Sequence, residues 1–349
     1  MFRFTSTTMH RIDPTVTHSS STPLANLGEF GLISRITAGV LSTESVITGI
    51  GDDAAVTALS TGMQLLSSTD MLLEEVHFRR AWHDPRRLGR KSLAVSISDI
   101  AAMGAIPRWA LLSLAIPSDL PLDFIDDFMR GFLALASENR VALIGGDTCS
   151  SRSGLIISVT VMGEQFPGRI VRRSGARPDD DIWVTGTLGD AALVLKKLEN
   201  GETVSDELID RLLDPKPRVS AALALTEAEL VTAMIDVSDG ILADFGHIAG
   251  QSGVGGCLSL DSLPLSVCFR KSTEDLPAIP FHLALSGGED YELCFTSHIT
   301  KREKITDRMK KCGIAVTRIG IVTSSPEVTV VNRDGSQYRS RTEGFNHFK

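Results

Sequence analysis

The sequence predicts a two-domain protein of the α+β and α/β class, and three observations carry that prediction. Its length of 349 residues is enough for two hydrophobic cores. Strand-like apolar runs alternate with helical patterns at the spacing of layered α/β structure. Aspartates cluster beside glycine at the ends of those apolar runs, where a buried strand would meet a cleft.

The elements follow in order. Residues 1–27 are rich in Ser and Thr, with Arg3, Arg11 and Asp13 among them. A transit peptide shares that composition, but the arginines are sparse and no amphipathic period is evident, so a disordered tail or a start at Met9 is expected. Gly28 to Val40 carries Phe30, Ile33, Ile36 and Val40 at helical spacing. Strands are predicted at Val46–Ile50, Ala54–Leu59 and Met63–Ser68, with the GDD turn between the first two. Asp84-Pro85 reads as an N-cap followed by proline at the first helical position, opening a helix that runs to about Met103. A strand at Trp109–Ile116, a helix at Leu122–Ser137 and strands at Val141–Ile144 and Leu155–Met162 complete a first domain, 28–165.

The polar, turn-rich stretch from Gly163 to Asp181 marks the break. The second domain, 166–349, alternates strands (Ile182–Thr185, Met234–Val237, Tyr291–Phe295) with helices, Ile241–Gly250 among them.

Composition narrows the function. A net charge of -8, without a long Lys/Arg run, argues against a nucleic-acid-binding face. Five widely spaced cysteines suit a reducing compartment, and no uncharged apolar run reaches the ~18 residues of a membrane span. A soluble, cytoplasmic protein is expected. The histidines show no HxH or HExxH spacing.

What remains is the carboxylate set. Asp52 and Asp53 stand in GIGDDAAV, Asp70 in LLSSTDMLL, Asp99 in VSISDIAAMG, Asp147 in ALIGGDTCS, and Asp236 and Asp239 in MIDVSDGILADFGHI. Some have a plain alternative: a hairpin turn for GIGDD, a solvent-facing helix residue for Asp99, a helix cap for Asp239; turn chemistry does not explain Asp70 between two apolar triplets. Together, seven carboxylates at strand ends would repel one another unless cations held them. Oxygen ligands without His or Cys point to Mg²⁺, which usually bridges carboxylates to substrate phosphates. The chain therefore reads as a phosphoryl-transfer enzyme, although the Walker and protein-kinase loops are absent. SGGEDYELCF, at Ser286–Phe295, adds a glycine turn that presents Glu289 and Asp290 before an apolar strand.

The motifs GIGDDAAV, SSTDMLLEEVHF, SISDIAAMGA, IGGDT, RRSGARPDD, TGTLGDAA, DVSDGILADFGHIA and LSGGEDYELCFT together resemble the thiamine-monophosphate kinase family. That family lies in the PurM-like superfamily of aminoimidazole ribonucleotide synthetase and selenophosphate synthetase. The resemblance runs from Gly28 to Phe348 and implies an N-terminal domain whose mixed sheet contributes to a dimer-spanning β-barrel, with ATP and several Mg²⁺ ions between it and a C-terminal α/β domain. It implies metal ligands at Asp53, Thr69, Asp70, Asp99, Asp147, Asp236 and Asp239. ATP contacts would come from Ser68, Gly146, Asp147, Arg173 and Ser238. Positions facing thiamine monophosphate would be His77, Glu289 and Phe345. A homodimer is implied as well. Glu75 departs from the pattern, standing where the family commonly has Gly, and the N-terminal tail is longer than usual.

The implied reaction needs no general base, because a phosphate monoester with a second pKa near ~6 is already largely dianionic at neutral pH. Its barrier is the meeting of two polyanions. Rival readings are another ATP-using enzyme of the superfamily, a metal-dependent phosphatase, or a nucleotide- and metal-binding protein without turnover.

Overall fold

A computed structural model describes residues 28–40 and 43–338. The expectations for the tail and for Phe345 lie outside the described residues. A short helix, α1 (Gly28–Ile36), precedes a two-stranded hairpin of β1 (Val46–Thr48) and β2 (Val56–Thr57), with the GDD sequence in the connection. A four-stranded sheet follows, in the order β3 (Gln64–Leu73), β6 (Ile156–Gln165), β4 (Ile106–Pro117), β5 (Ala142–Ser151). Only its β4–β5 pair is parallel. One face is covered by α2 (Pro85–Ala102) and α3 (Leu122–Asn139). This sheet is mixed, as expected. It is also open, and the described residues contain no closed barrel.

The start of α2 follows from its sequence. The Asp84 carboxylate accepts a hydrogen bond from Arg87 N at 3.0 Å, satisfying one of the helix's orphan donors, and Pro85 occupies a position where its missing N–H costs nothing. Where α2 crosses α3, the backbones touch. A Cβ on Gly89 would lie 1.9 Å from Phe128 O, and one on Gly131 would lie 1.9 Å from Arg86 O. Only hydrogen side chains allow that approach.

The C-terminal half is built on a seven-stranded sheet, order β13 (Gln337–Tyr338), β12 (Val328–Val331), β9 (Gly255–Ser259), β11 (Val316–Thr323), β7 (Asp181–Thr185), β10 (Leu293–Ser297), β8 (Ala233–Asp236). Strands β7, β10 and β8 are buried along their whole length, which explains their continuous apolar character. On one side Ile182, Val184 and Ile235 meet α4 (Asp190–Glu199), α5 (Asp206–Leu213) and α7 (Ile241–Ser252). On the other, Trp183, Met234 and Phe295 meet α6 (Val219–Glu227) and α10 (Arg302–Lys311). The two short helices α8 (Val267–Ser272) and α9 (Phe281–Ser286) lie between β9 and β10 in the chain. Ala101 and Ala102, at the end of α2, belong to that second cluster, so α2 joins the two sheets through apolar contact.

Two strand boundaries differ from the expectation in a way that matters. The strand expected to end at Ser68 continues through Asp70 to Leu73, paired residue by residue with β6. The strand expected to end at Ile144 continues through Asp147 to Ser151, paired with β4. Both are edge strands with one open face. Their backbone ladders persist after the apolar pattern stops, because hydrogen bonding to a neighbour does not require burial of both faces. The expected strand start at Tyr291 also moves, to Leu293, since Glu289 and Tyr291 adopt left-handed backbone (φ 68° and 47°).

Candidate active site

Three of the predicted carboxylates meet where the two sheets come together. Asp70 projects from β3, Asp99 from the last third of α2, and Asp236 from the end of β8. The SISD segment of α2 organises all three. Ser96 Oγ donates to Asp70 Oδ2 at 2.6 Å, and Ser98 Oγ donates to Asp236 Oδ2 at 2.7 Å. Asp99 accepts from Ser68 Oγ across the helix–strand interface. Each hydroxyl thus fixes one oxygen of a carboxylate.

Burial makes these anions uncomfortable. Desolvation first, then the neighbouring Asp99 charge, pushes Asp70 up to about 6 against the Ser96 hydrogen bond. Asp236, fully buried, is pushed up to about 7 by desolvation and by the charges of Asp99 and Asp70. Asp99 is raised by desolvation, opposed by Ser68 and by the more distant Arg173 guanidinium. Three crowded carboxylates that form no salt bridge among the described residues, and whose free oxygens are hard donors, fit divalent-cation binding. The described residues hold no group of three His, Cys, Asp or Glu already spaced to enclose one ion. The donor set would therefore depend on substrate oxygens and water to complete a coordination shell, as Mg²⁺ usually does.

Two motif loops lie against each other beside this cluster. Glu289 N donates to Ser238 O at 2.8 Å, and Tyr291 N donates to Val237 O at 2.9 Å, so the GGED turn runs along the VSDG turn. A Cβ on Gly288 would sit 2.4 Å from Ser238 O, which is why the turn needs glycine there. Asp239 is not the cap of α7. That role falls to the Asp244 carboxylate, which folds back to accept from Asp239 N and Gly240 N at 3.1 and 3.0 Å. Desolvation and the charges of Asp236 and Asp239 push Asp244 up to about 8.

A cavity of about 860 Å³ opens between these parts. Its walls bring together Asp70, His77, Ser238, Asp239 and Glu289, joining predicted metal, nucleotide and substrate positions. His77 Nδ1 accepts from Leu73 N at 3.0 Å, so the neutral ring carries its proton on Nε2. Glu75 adopts φ 65°, the left-handed conformation that Gly enters without cost. The loop therefore keeps the shape that a glycine would give, and the departure noted in the sequence costs strain in place of geometry.

Thr69 also borders the cavity, but it alternates with Asp70 and faces the open side of the sheet, where its hydroxyl meets Thr160 Oγ1 at 2.9 Å. The other predicted residues are elsewhere. Asp147 is opposite Ser113 on that same side and is exposed. Asp53 is exposed on the hairpin, which rests over Trp109, Ala142 and Ile144 on the open face. Within one chain the seven expected ligands thus fall on two sides of the four-stranded sheet. Gly146 has a packing role, since a Cβ there would lie 1.7 Å from Leu112 O on β4. Arg173 is exposed beyond the cluster. Sequence reasoning missed Ser96, Ser98, Asp244 and Lys91. The first two were visible as hydroxyls flanking Asp99 in one motif.

Both halves of the chain match models of AIR synthase related proteins, the N-terminal domain over residues 51–165 and the C-terminal domain over 177–332. The chain is thus a two-domain PurM-like protein. Closer relatives narrow the class. The thiamine-monophosphate kinase of Salmonella typhimurium is 39% identical over 327 residues, 92% of this chain and 98% of that protein. The crystal structure of thiamine-monophosphate kinase from Stenotrophomonas maltophilia superposes with a TM-score of 0.80 at 41% identity, covering 89% of this chain and 98% of that one. A second structure, described as AaThiL complexed with AMPPCP and TMP, superposes with a TM-score of 0.73 at 34% identity, covering 95% and 100%. The chain belongs to the thiamine-monophosphate kinase family.

Proposed function

We propose that this protein transfers the γ-phosphoryl group of ATP to thiamine monophosphate, forming ADP and thiamine diphosphate in thiamine diphosphate biosynthesis. The observation that carries the reading is the single cavity in which Asp70 and Asp239 face His77 and Glu289. The relatives named thiamine-monophosphate kinase, and the neighbour solved with AMPPCP and TMP, support the same substrates.

In this reading Asp70, Asp99, Asp236 and Asp239 hold Mg²⁺ on the cavity side, with Thr69, Asp53 and Asp147 contributing from the open side of the sheet. Bound Mg²⁺ would neutralise the two polyanions and align them for in-line displacement. The chain's own residues do the rest. Ser96, Ser98 and Ser68 fix the carboxylates so that no reorganisation is needed when substrate enters. Ser238, Gly146, Asp147 and Arg173 contact ATP. His77 presents Nε2–H as a donor, and Glu289 supplies an anion for the positively charged thiamine moiety; Phe345 would join them from the C-terminal segment. No side chain has to remove a proton, because the attacking phosphate oxygen is already ionised at neutral pH.

A homodimer accounts for the divided ligand set. The open face of β3 carries the exposed apolar residues Leu65 and Met71, and the hairpin over it carries Ile47 and Val56. A second copy laid on that face would cover them, close the four-stranded sheet into a barrel, and bring the exposed Asp53, Thr69 and Asp147 into an enclosed site. A cytoplasmic location and domain limits at 28–165 and 166–349 complete the proposal; no helix of the described residues is long and apolar enough to cross a membrane.

The deciding experiment follows thiamine diphosphate and ADP together, from ATP and Mg²⁺, with and without thiamine monophosphate. Thiamine diphosphate that depends on both thiamine monophosphate and Mg²⁺ is expected. ADP without thiamine diphosphate would overturn the acceptor, and no ADP would overturn the enzyme.

A further inference from the structure

One fully buried cation has no part in the mechanism above. Lys91, in the first half of α2, is 0% exposed, and its Nζ lies 2.9 Å from Glu289 Oε1. Among the described residues that ammonium makes no hydrogen bond, and Glu289 is its one ion-pair partner. Burying a lysine is unfavourable unless a counter-charge meets it, and an apolar residue of similar volume would usually be at least as stable. A structural brace therefore explains Lys91 poorly.

The partner is equally unusual. Glu289 lines the cavity, keeps a little over a quarter of its side chain exposed, and adopts a left-handed backbone with φ 68°. Non-glycine residues take that conformation when surrounding structure imposes it, commonly at binding sites. Here the imposing contacts are visible: Glu289 N is tied to Ser238 O, and Oε1 is tied to Lys91. His83, also buried against the cavity, stays neutral because desolvation and then the Lys91 charge hold it well below its usual value. Glu289 is thus the anion to which the buried ammonium is directed.

We propose that Lys91 is a positioning residue for substrate recognition: it anchors one oxygen of Glu289 from beneath the cavity and so presents the other to the cationic, amine-bearing ring system of the substrate. The inference rests on the functional reading above and adds to it the means by which a flexible glutamate is kept in one orientation. Freed from Lys91, the carboxylate would sample several rotamers. The substrate would then have to order it on binding, a cost that appears in affinity and not in the phosphoryl-transfer step.

The test is steady-state kinetics on Lys91→Met, Glu289→Gln and the double variant, varying thiamine monophosphate and ATP separately. Lys91→Met should raise KM for thiamine monophosphate about 2- to 10-fold, the cost of ordering one side chain on binding. Its kcat should stay within about threefold, and KM for ATP should not move, the pattern of lost substrate binding. Glu289→Gln should give the same division, and the double variant should be no worse than Glu289→Gln alone. A lower melting temperature with unchanged KM for thiamine monophosphate would mark Lys91 as a brace and overturn the proposal. Additive effects in the double variant would overturn it too. Should Lys91→Met fail to fold, Glu289→Gln decides alone, because unchanged KM there removes the group that Lys91 is said to position. Absence of thiamine diphosphate from the wild-type reaction would defeat the functional reading first, and the proposal with it, before any variant is compared.

Discussion

Replacing Asp236 by Asn should inactivate the enzyme and, without Mg²⁺, stabilise it. Asp236 is 3% exposed, accepts from Ser98, and is raised from 3.8 to about 7 by desolvation and by Asp99 and Asp70. A folded-state pKa above the unfolded one means that the folded protein binds the proton more tightly. The associated stability is present below the unfolded value and is lost as pH rises through the folded value. From the 3.8-to-7 shift the loss approaches about 4 kcal/mol above pH 7, at about 1.4 kcal/mol per unit, and this is a ceiling. Asn keeps an oxygen for Ser98 and never ionises. Its advantage over Asp should grow by about 2 kcal/mol between pH 5.5 and 8, and a domain of this size converts that to about 4–8 °C in melting temperature. The assay is thermal unfolding of both proteins in chelator at the two pH values, then with Mg²⁺ at pH 8. Mg²⁺ should raise the melting temperature of wild type more than that of the variant. A difference between variant and wild type that is the same at pH 5.5 and pH 8 would refute the buried-charge argument. An equal response of both proteins to Mg²⁺ would refute the ligand assignment.

Other substitutions test the remaining links. Asp70→Asn and Asp99→Asn should each lower kcat at least about a hundredfold through lost charge stabilisation, with circular dichroism unchanged; near-wild-type turnover at saturating ATP and low Mg²⁺ would remove that residue from the site. Gly131→Ala places a Cβ 1.9 Å from Arg86 O and should destabilise the protein by about 3 kcal/mol by forcing α2 and α3 apart. A denaturation midpoint within error of wild type would mean that the helix crossing is looser than the structure shows.

Much of this was legible in the sequence, and the reasons differ from element to element. Asp84-Pro85 announced the start of α2 because capping and the missing proline N–H are local chemistry. Asp70, Asp99 and Asp236 were legible because a carboxylate inside an apolar run needs some compensating partner. The ends of β3 and β5 were not, because an apolar pattern reports burial, and on an open sheet face burial stops several residues before the hydrogen-bond ladder does. The same cause hid the division of the ligand set. Thr69 and Asp70 are neighbours in sequence but occupy opposite faces of one strand, and only a strand that passes through both reveals it. Lys91 gave no signal, since a lysine in the stretch RRLGRKS reads as another surface cation until the fold closes over it.

The position of the acidic cluster has a consequence for the whole molecule. Asp70 and Asp99 come from the first domain and Asp236 from the second, and Ser98–Asp236 is a hydrogen bond between them. Their mutual repulsion therefore opposes the very interface that the apolar contacts of Ala101 and Ala102 hold together. Cation binding would remove that opposition, so ligand occupancy and the stability of the junction are linked: whatever neutralises the carboxylates also tightens the junction, and whatever loosens the junction weakens cation binding by the same free energy. A junction held by apolar contact alone would be more stable when empty, but its stability would not respond to the substrates.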